Sequence, residues 1–199
     1  MRNRPFVSRT LLSALAVCSS FAAFSAENFQ DLPWGVSEAH LQEKFAGALN
    51  AGECTAQEQM LADASGSACG GLVLDSYIVE GTPFRVKLNL AKDSRTLKDV
   101  YLFARFEPSA RERTRVEARL QHDRITALLV GRYGAPIDKN VSADPEGPGA
   151  VKHSITTWLT KTSRITLATY AFTEGGKPPT MTQNLIFRPV PPTRDSGKL

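Results

Sequence analysis

Histidine, cysteine and tryptophan are scarce in this chain: three, three and two respectively among 199 residues. The cysteines, Cys18, Cys54 and Cys69, form no C-x-x-C pair. No second Cys/His pair stands by to complete a four-ligand site, which excludes the common structural zinc patterns and a thioredoxin-type redox motif. Also missing are G-x-S-x-G, H-E-x-x-H, the P-loop and G-x-G-x-x-G, each tied to a hydrolase elbow, a zinc protease, phosphate transfer or dinucleotide binding. No apolar run after residue 26 approaches the roughly 20 residues that span a membrane. What is present, 42% hydrophobic and 22% charged residues, is globular composition.

A strong basic excess is absent too, once its location is considered. The chain carries 24 Lys+Arg against 20 Asp+Glu, a net charge of +4 with a sequence pI near 9.1. Arg2, Arg4 and Arg9 precede the apolar residues 11–24, the arrangement of a positive n-region and an h-region in an export signal. Without these three, the balance is 21 to 20. Nucleic-acid binding is therefore not expected, because it draws on clustered phosphate-neutralising cations. Residues 1–26 read as a signal peptide cleaved between Ala26 and Glu27, which sends the protein to the periplasm. A lipobox at Leu15-Ala16-Val17-Cys18 is the alternative, weakened by bulky Val17 and by the apolar residues 21–24 that acylation at Cys18 would leave behind. No stable membrane insertion is expected after signal removal.

Loss of Cys18 leaves an even pair, Cys54 and Cys69, within a Gly/Ala/Ser-rich stretch. In an oxidising compartment such a pair most simply forms a disulfide. Residues 27–188 are expected to make one domain, long enough to bury a core without a metal or cofactor.

Two blocks repeat one order of elements. In the first, Ser37 is an N-cap with Val36 and Leu41 as a hydrophobic staple, predicting a short helix that ends near Gly47, with Leu41 and Phe45 on one face. After the disulfide loop come strands over 72–79 and 84–90, the latter in strict alternation, and over 97–106. The second block, about 107–188, opens with Ser109 and Glu112 at capping-box spacing. A long helix to Tyr133 follows, its apolar face drawn from Leu120, Ile125, Leu128 and Leu129, and Gly134 stops it. Residues 142–150 read as loop; strands are predicted over 153–159, 164–172 and 181–188, and residues 189–199 as a disordered tail. The class is α+β: antiparallel sheet with helices on one face, built from two αβββ units in tandem, about 29–106 and 107–188.

Candidate chemistry is thin. His40 and Glu43 have i, i+3 spacing, but polar helix faces produce this often. His122-Asp123 reads as a solvated pair, and His153 stands at a strand start. Ser65-Gly66-Ser67 and Gly70-Gly71 are flexible loop rather than an anion nest. Arg111, Arg113, Arg115, Arg119 and Arg124 are interleaved with Glu112, Glu117 and Asp123, which makes neutralising surface pairs the expectation. No catalytic, cofactor-binding or metal-ligating residue is assigned. Aromatics are more telling: Trp34, Trp158, Tyr101, Phe103, Tyr170 and Phe172 either fill the sheet–helix core or line a sheet face that meets a partner.

The segment Phe29-Gln30-Asp31-Leu32-Pro33-Trp34-Gly35-Val36-Ser37 resembles the F-x-x-L-P-W-G-x-S start of a family of uncharacterised secreted proteins of Gram-negative bacteria. Tyr133-Gly134-Ala135-Pro136 and the strand bearing Trp158 are similar to the same group. The resemblance implies a periplasmic α+β domain and carries no catalytic residue. In element order the chain also resembles β-lactamase-inhibitory-protein-like domains and small outer-membrane assembly lipoproteins, which act by binding. The expected function is accordingly a non-enzymatic module that binds another envelope protein. A small apolar-ligand carrier and an enzyme with a dispersed site are the alternatives.

Overall fold

The computed structural model describes residues 28–106, 111–142, 151–172 and 180–191. The segment read as an export signal, Ser109 of the expected capping box, residues 143–150 and 173–179, and residues 192–199 of the expected tail lie outside the described residues.

A 3-10 turn at Phe29–Asp31 leads into α1 (Glu38–Lys44), then β1 (Asn50–Ala51), α2 (Ala56–Ser65), β2 (Leu72–Val79), β3 (Thr82–Leu90) and β4 (Leu97–Phe106). The second half consists of α3 (Arg111–Tyr133), β5 (Asp138–Val141), β6 (Val151–Leu159), β7 (Ser163–Phe172) and β8 (Thr180–Pro189). All strands join one antiparallel sheet in the order β1-β2-β3-β4-β8-β7-β6-β5. Each half thus contributes a leading helix, a short edge strand and a three-strand meander, and the first half adds α2 between its edge strand and its meander. The two meanders meet through their last strands, Leu102 opposite Leu185 and Tyr101 opposite Ile186. The α+β class holds, and the order of elements in the two halves matches except for α2, which is inserted in the first half alone.

Local chemistry explains the elements. The Ser37 hydroxyl accepts from the His40 amide at 3.4 Å, so α1 starts where a cap satisfies an otherwise orphaned N–H. Strand alternation in β3 puts Phe84, Val86, Leu88 and Leu90 on one face, all at most 1% exposed. Val100 and Leu102 of β4, Ile165 and Leu167 of β7, and Leu185 and Phe187 of β8 extend that layer beneath α1 and α3. Gly134, at φ +81°, ends α3 in a left-handed turn that disfavours any Cβ, and its carbonyl accepts from Trp158 Nε1 at 3.1 Å.

Three departures from expectation have physical causes. The buried stripe of α3 is Ala118, Gln121, Ile125 and Leu129, while Leu120 and Leu128 are 50% and 44% exposed. Helical spacing carries Leu120 and Leu128 off the i, i+3, i+7 line that faces the sheet. The segment 56–65, expected as loop, is helical: the Thr55 hydroxyl accepts from the Glu58 amide and the Glu58 carboxylate accepts from the Thr55 amide, a capping box, and Gly66 closes the helix at φ +66°. Unlike α1 and α3, α2 lies on the opposite face of the sheet, where Glu58 meets Lys87 at 3.0 Å. Finally, β5 was not expected, because Asp138-Lys139-Asn140-Val141 is an exposed edge with no buried side to leave a pattern.

Candidate functional site

The sheet has two unlike faces. On the inner one lie both tryptophans: Trp158 is fully buried, and Trp34, packed against the core, donates to Ser163 Oγ at 3.0 Å, tying the first half of the chain to the second. The other four aromatics singled out in the sequence, Tyr101, Phe103, Tyr170 and Phe172, alternate with core residues and so project from the outer face. Phe103 and Phe172 are 43% and 42% exposed. Tyr170 stacks on Phe172 with ring centroids 6.2 Å apart and neighbours His153 across the strand pair at 6.4 Å. Half-buried Ile155, Thr166, Asn184 and Ile186 complete the row. Among the described helices, only α2 packs on this face, at the β2–β3–β4 end.

Between α2 and the strands runs a cleft of about 870 Å³. Leu61 and Ala62 of α2 form one wall, Tyr101 and Phe103 the other, with Val73, Asn89 and Asp99 on the floor. The Cys54–Cys69 disulfide, Cα atoms 5.5 Å apart, brackets α2 and holds its two ends together. Beneath it Gly52 and Gly70 bring their backbones into contact, and a side chain on Gly52 would drive into the Gly70 carbonyl. Gly52 N donates to Gly71 O at 3.0 Å, so β1 and β2 clasp the same loop that the disulfide closes.

The electrostatics of the cleft follow from its placement. Lys98 occupies a bulge, since Asn89 pairs with Asp99 and Leu90 with Leu97. Its ammonium donates to the Ser65 carbonyl and the Ser67 hydroxyl, where the C-terminal end of α2 favours a cation. Ser67 is therefore bound to a helix-capping lysine and is not set up as a nucleophile. Glu58 is held below the usual carboxylate range, first by its hydrogen bond from the Thr55 amide and then by Lys87. Asp99 is pushed up, because burial outweighs the 2.6 Å hydrogen bond from Asn89 and the nearby charges of Arg188, Lys98 and Lys87. Arg188 stacks over Tyr101 at 5.5 Å from the ring centroid and donates to its hydroxyl.

The histidines do not converge. His40 is exposed on α1, His153 lies on the outer face, and His122 is half-buried under α3 on the inner one. Its Nδ1 is 2.9 Å from Thr169 Oγ1, which also accepts from Gln183 Nε2, and burial lowers its pKa. His122 is thus a member of a buried network rather than a solvated partner of Asp123. Among the described residues, no group of three or more His, Cys, Asp or Glu side chains could hold a metal. Arg119 and Arg124 are exposed on α3, and the side chains of Arg111, Arg113 and Arg115 lie outside the described residues.

No described helix is long and apolar enough to cross a membrane. Comparison with protein-family models, with curated proteins and with solved structures returned no match.

The cleft is not legible in the hydrophobic pattern, because its wall, α2, buries only Ala62. The signal was available: Thr55 and Glu58 have the same T-x-x-E spacing that marks a capping box.

Proposed function

We propose that this chain is an exported periplasmic domain that binds another envelope protein through the outer face of its sheet, without catalysing a reaction. The observation that carries this reading is the division of the aromatics. Both tryptophans are committed to the core or its margin, whereas two aromatic pairs, Tyr101 with Phe103 on β4 and Tyr170 with Phe172 on β7, project from a face that the described helices cover only at one end. Exposed aromatics grouped on a rigid surface are what binding hot spots require, since they desolvate large areas at low entropic cost. The disulfide and the export signal read from residues 1–26 support an oxidising compartment. A photo-crosslinking side chain placed at position 103 or 170 tests it. Partner adducts are expected from both positions and not from Glu43, exposed on α1 on the other side of the sheet. Adducts formed equally from Glu43, or from none of the three, overturn the assignment.

The cleft supports a second reading, a carrier of a small apolar ligand, since a groove between helix and sheet of this volume is within the range of ligand sites. Native mass spectrometry of protein purified from the periplasm discriminates: a co-purified small molecule displaced by Leu61→Arg favours the carrier.

A further inference from the structure

The central strands β4, β8 and β7 carry four cations on or beside the outer face, Lys98, Arg105, Arg164 and Arg188, against one carboxylate, Asp99, which is itself buried. Among the described residues, the other carboxylates of this face are peripheral and engaged elsewhere or remote. Asp75 lies 3.5 Å from Arg85, Glu58 holds Lys87, Glu53 rims the cleft, and Asp138 sits on the far edge strand. Within this cationic band Arg164 and Arg188 are direct cross-strand partners, both exposed. Like charges placed opposite one another in a sheet are destabilising. Among the described residues neither forms an ion pair short enough to offset the repulsion, although Asp99 is the cross-strand neighbour of Arg188 on its other side.

We propose that the Arg164–Arg188 pair, with the adjoining Tyr101–Phe103 wall of the cleft, receives a protein segment that presents carboxylates beside apolar side chains, so that the partner is acidic. This rests on the docking face proposed above and adds the partner's chemistry. A carboxylate drawn to these two arginines, Arg188 turned over Tyr101 on the β4 side and Arg164 on the β7 side, offsets their like charge and gains charge-assisted hydrogen bonds, and apolar side chains flanking it meet Phe103, Tyr101 and Leu61. Arginine suits this role because its planar fork binds carboxylates in two-point fashion while its face stacks on an aromatic ring, as Arg188 does on Tyr101. The band combines cations with aromatics, a composition single-stranded nucleic acid also accepts. A protein segment is favoured because the cleft wall contributed by α2 is aliphatic, Leu61 and Ala62, rather than a stacking platform.

The test uses the full chain and three fluorescent probes: a short peptide alternating Glu with Leu and Phe, the same peptide with Lys for Glu, and an oligodeoxythymidylate of matching charge. Anisotropy at low salt is expected to show binding of the acidic peptide alone, weakened about tenfold or more by Arg164→Glu with Arg188→Glu and by added salt. The neutral pair Arg164→Gln and Arg188→Gln is expected to weaken it less, with circular dichroism unchanged in both. Equal binding of the lysine peptide, tighter binding of the oligonucleotide, or affinity indifferent to both pairs of variants overturns the proposal. So does tighter peptide binding after truncation beyond Pro191, which would make the chain's own tail the occupant. So, too, does self-association of the chain alone that Arg164→Glu with Arg188→Glu abolishes. If the acidic class fails while position 103 still forms its specific adduct, the docking face stands; if that adduct is also missing, both fall.

Discussion

Replacing Cys54 and Cys69 together by alanine separates two devices that close the same loop. The disulfide links residues 15 apart in sequence, and closing a loop of that length in the unfolded chain corresponds to about 3 kcal/mol. In the folded protein, however, the loop is already closed beneath it by Gly52 N donating to Gly71 O and by the Asn50–Val73 and Ala51–Leu72 pairs of β1 with β2. When α2 alone detaches, these contacts still hold its ends together, so the disulfide removes little additional entropy from that partly open state. Its effect therefore falls on global unfolding. Urea denaturation of the double variant should show a loss of about 3 kcal/mol, and the melting temperature should fall by roughly 6–12 °C for a chain of this size. Amide exchange within α2, measured under strongly native conditions, should change by less than about tenfold. The contacts of α2 itself are modest: Ala62 is its one buried apolar side chain, and the half-exposed Glu58–Lys87 pair contributes about 1 kcal/mol at most. Exchange in α2 accelerating about a hundredfold with global stability unchanged would refute the reasoning, because it would mean that the β1–β2 clasp does not hold without the covalent bond.

Three further perturbations test the rest of the structure. Trp158→Phe removes the donor to the Gly134 carbonyl at the end of α3 and leaves a void in a fully buried site; chemical denaturation should register a loss of about 2 kcal/mol or more. His122 titrates near 6.5 when unfolded, and burial, only partly opposed by Asp123 and reinforced by Lys139, lowers the folded value. As pH falls through 6.5 the unfolded chain takes up a proton the fold resists, so stability declines until the folded value is passed. Urea midpoints between neutral pH and about pH 5 should fall less in His122→Gln than in the parent; parallel profiles would contradict the assignment. For Asp99 the folded value lies above 3.8, so stability falls as pH rises from 3.8 through that value and the deficit persists at neutral pH. Asp99→Asn is expected to be the more stable protein at neutral pH and to lose the advantage in acid, which thermal melts across that range would show.

Much of the framework was legible because it rests on local rules. Ser37 before Leu41 announces α1 through the cap it supplies, Gly134 announces the end of α3 through the left-handed turn it adopts, and the alternation from Phe84 to Leu90 announces a strand with one buried side. Illegible were the elements without such a contrast. Only Ala62 of α2 is buried and none of β5 is, so neither shows a hydrophobic period, and α2 betrays itself only by its capping spacing. Leu120 and Leu128 misdirected the face of α3 because hydrophobicity alone does not say which of two possible stripes meets the sheet.

The candidate site divides in the same way. Covalent pairing of Cys54 with Cys69 follows from their even number and the compartment that residues 1–26 imply, and sequence also sets how much charge the chain carries. Composition alone puts cations and anions beyond residue 26 close to balance, 21 to 20. Where that charge lies is another matter. Arg164 and Arg188 are 24 residues apart in sequence and become neighbours only because β7 and β8 pair in one register. Tyr101 and Phe103 join them because β4, the last strand of the first half, pairs with β8, the last strand of the second. A one-residue slip of the β4–β8 register would place Tyr101 and Phe103 on the face opposite Arg164 and Arg188. Strand pairing across the two halves, a long-range choice settled by burying both hydrophobic faces in one core, is what turns a nearly neutral composition into a cationic, aromatic surface.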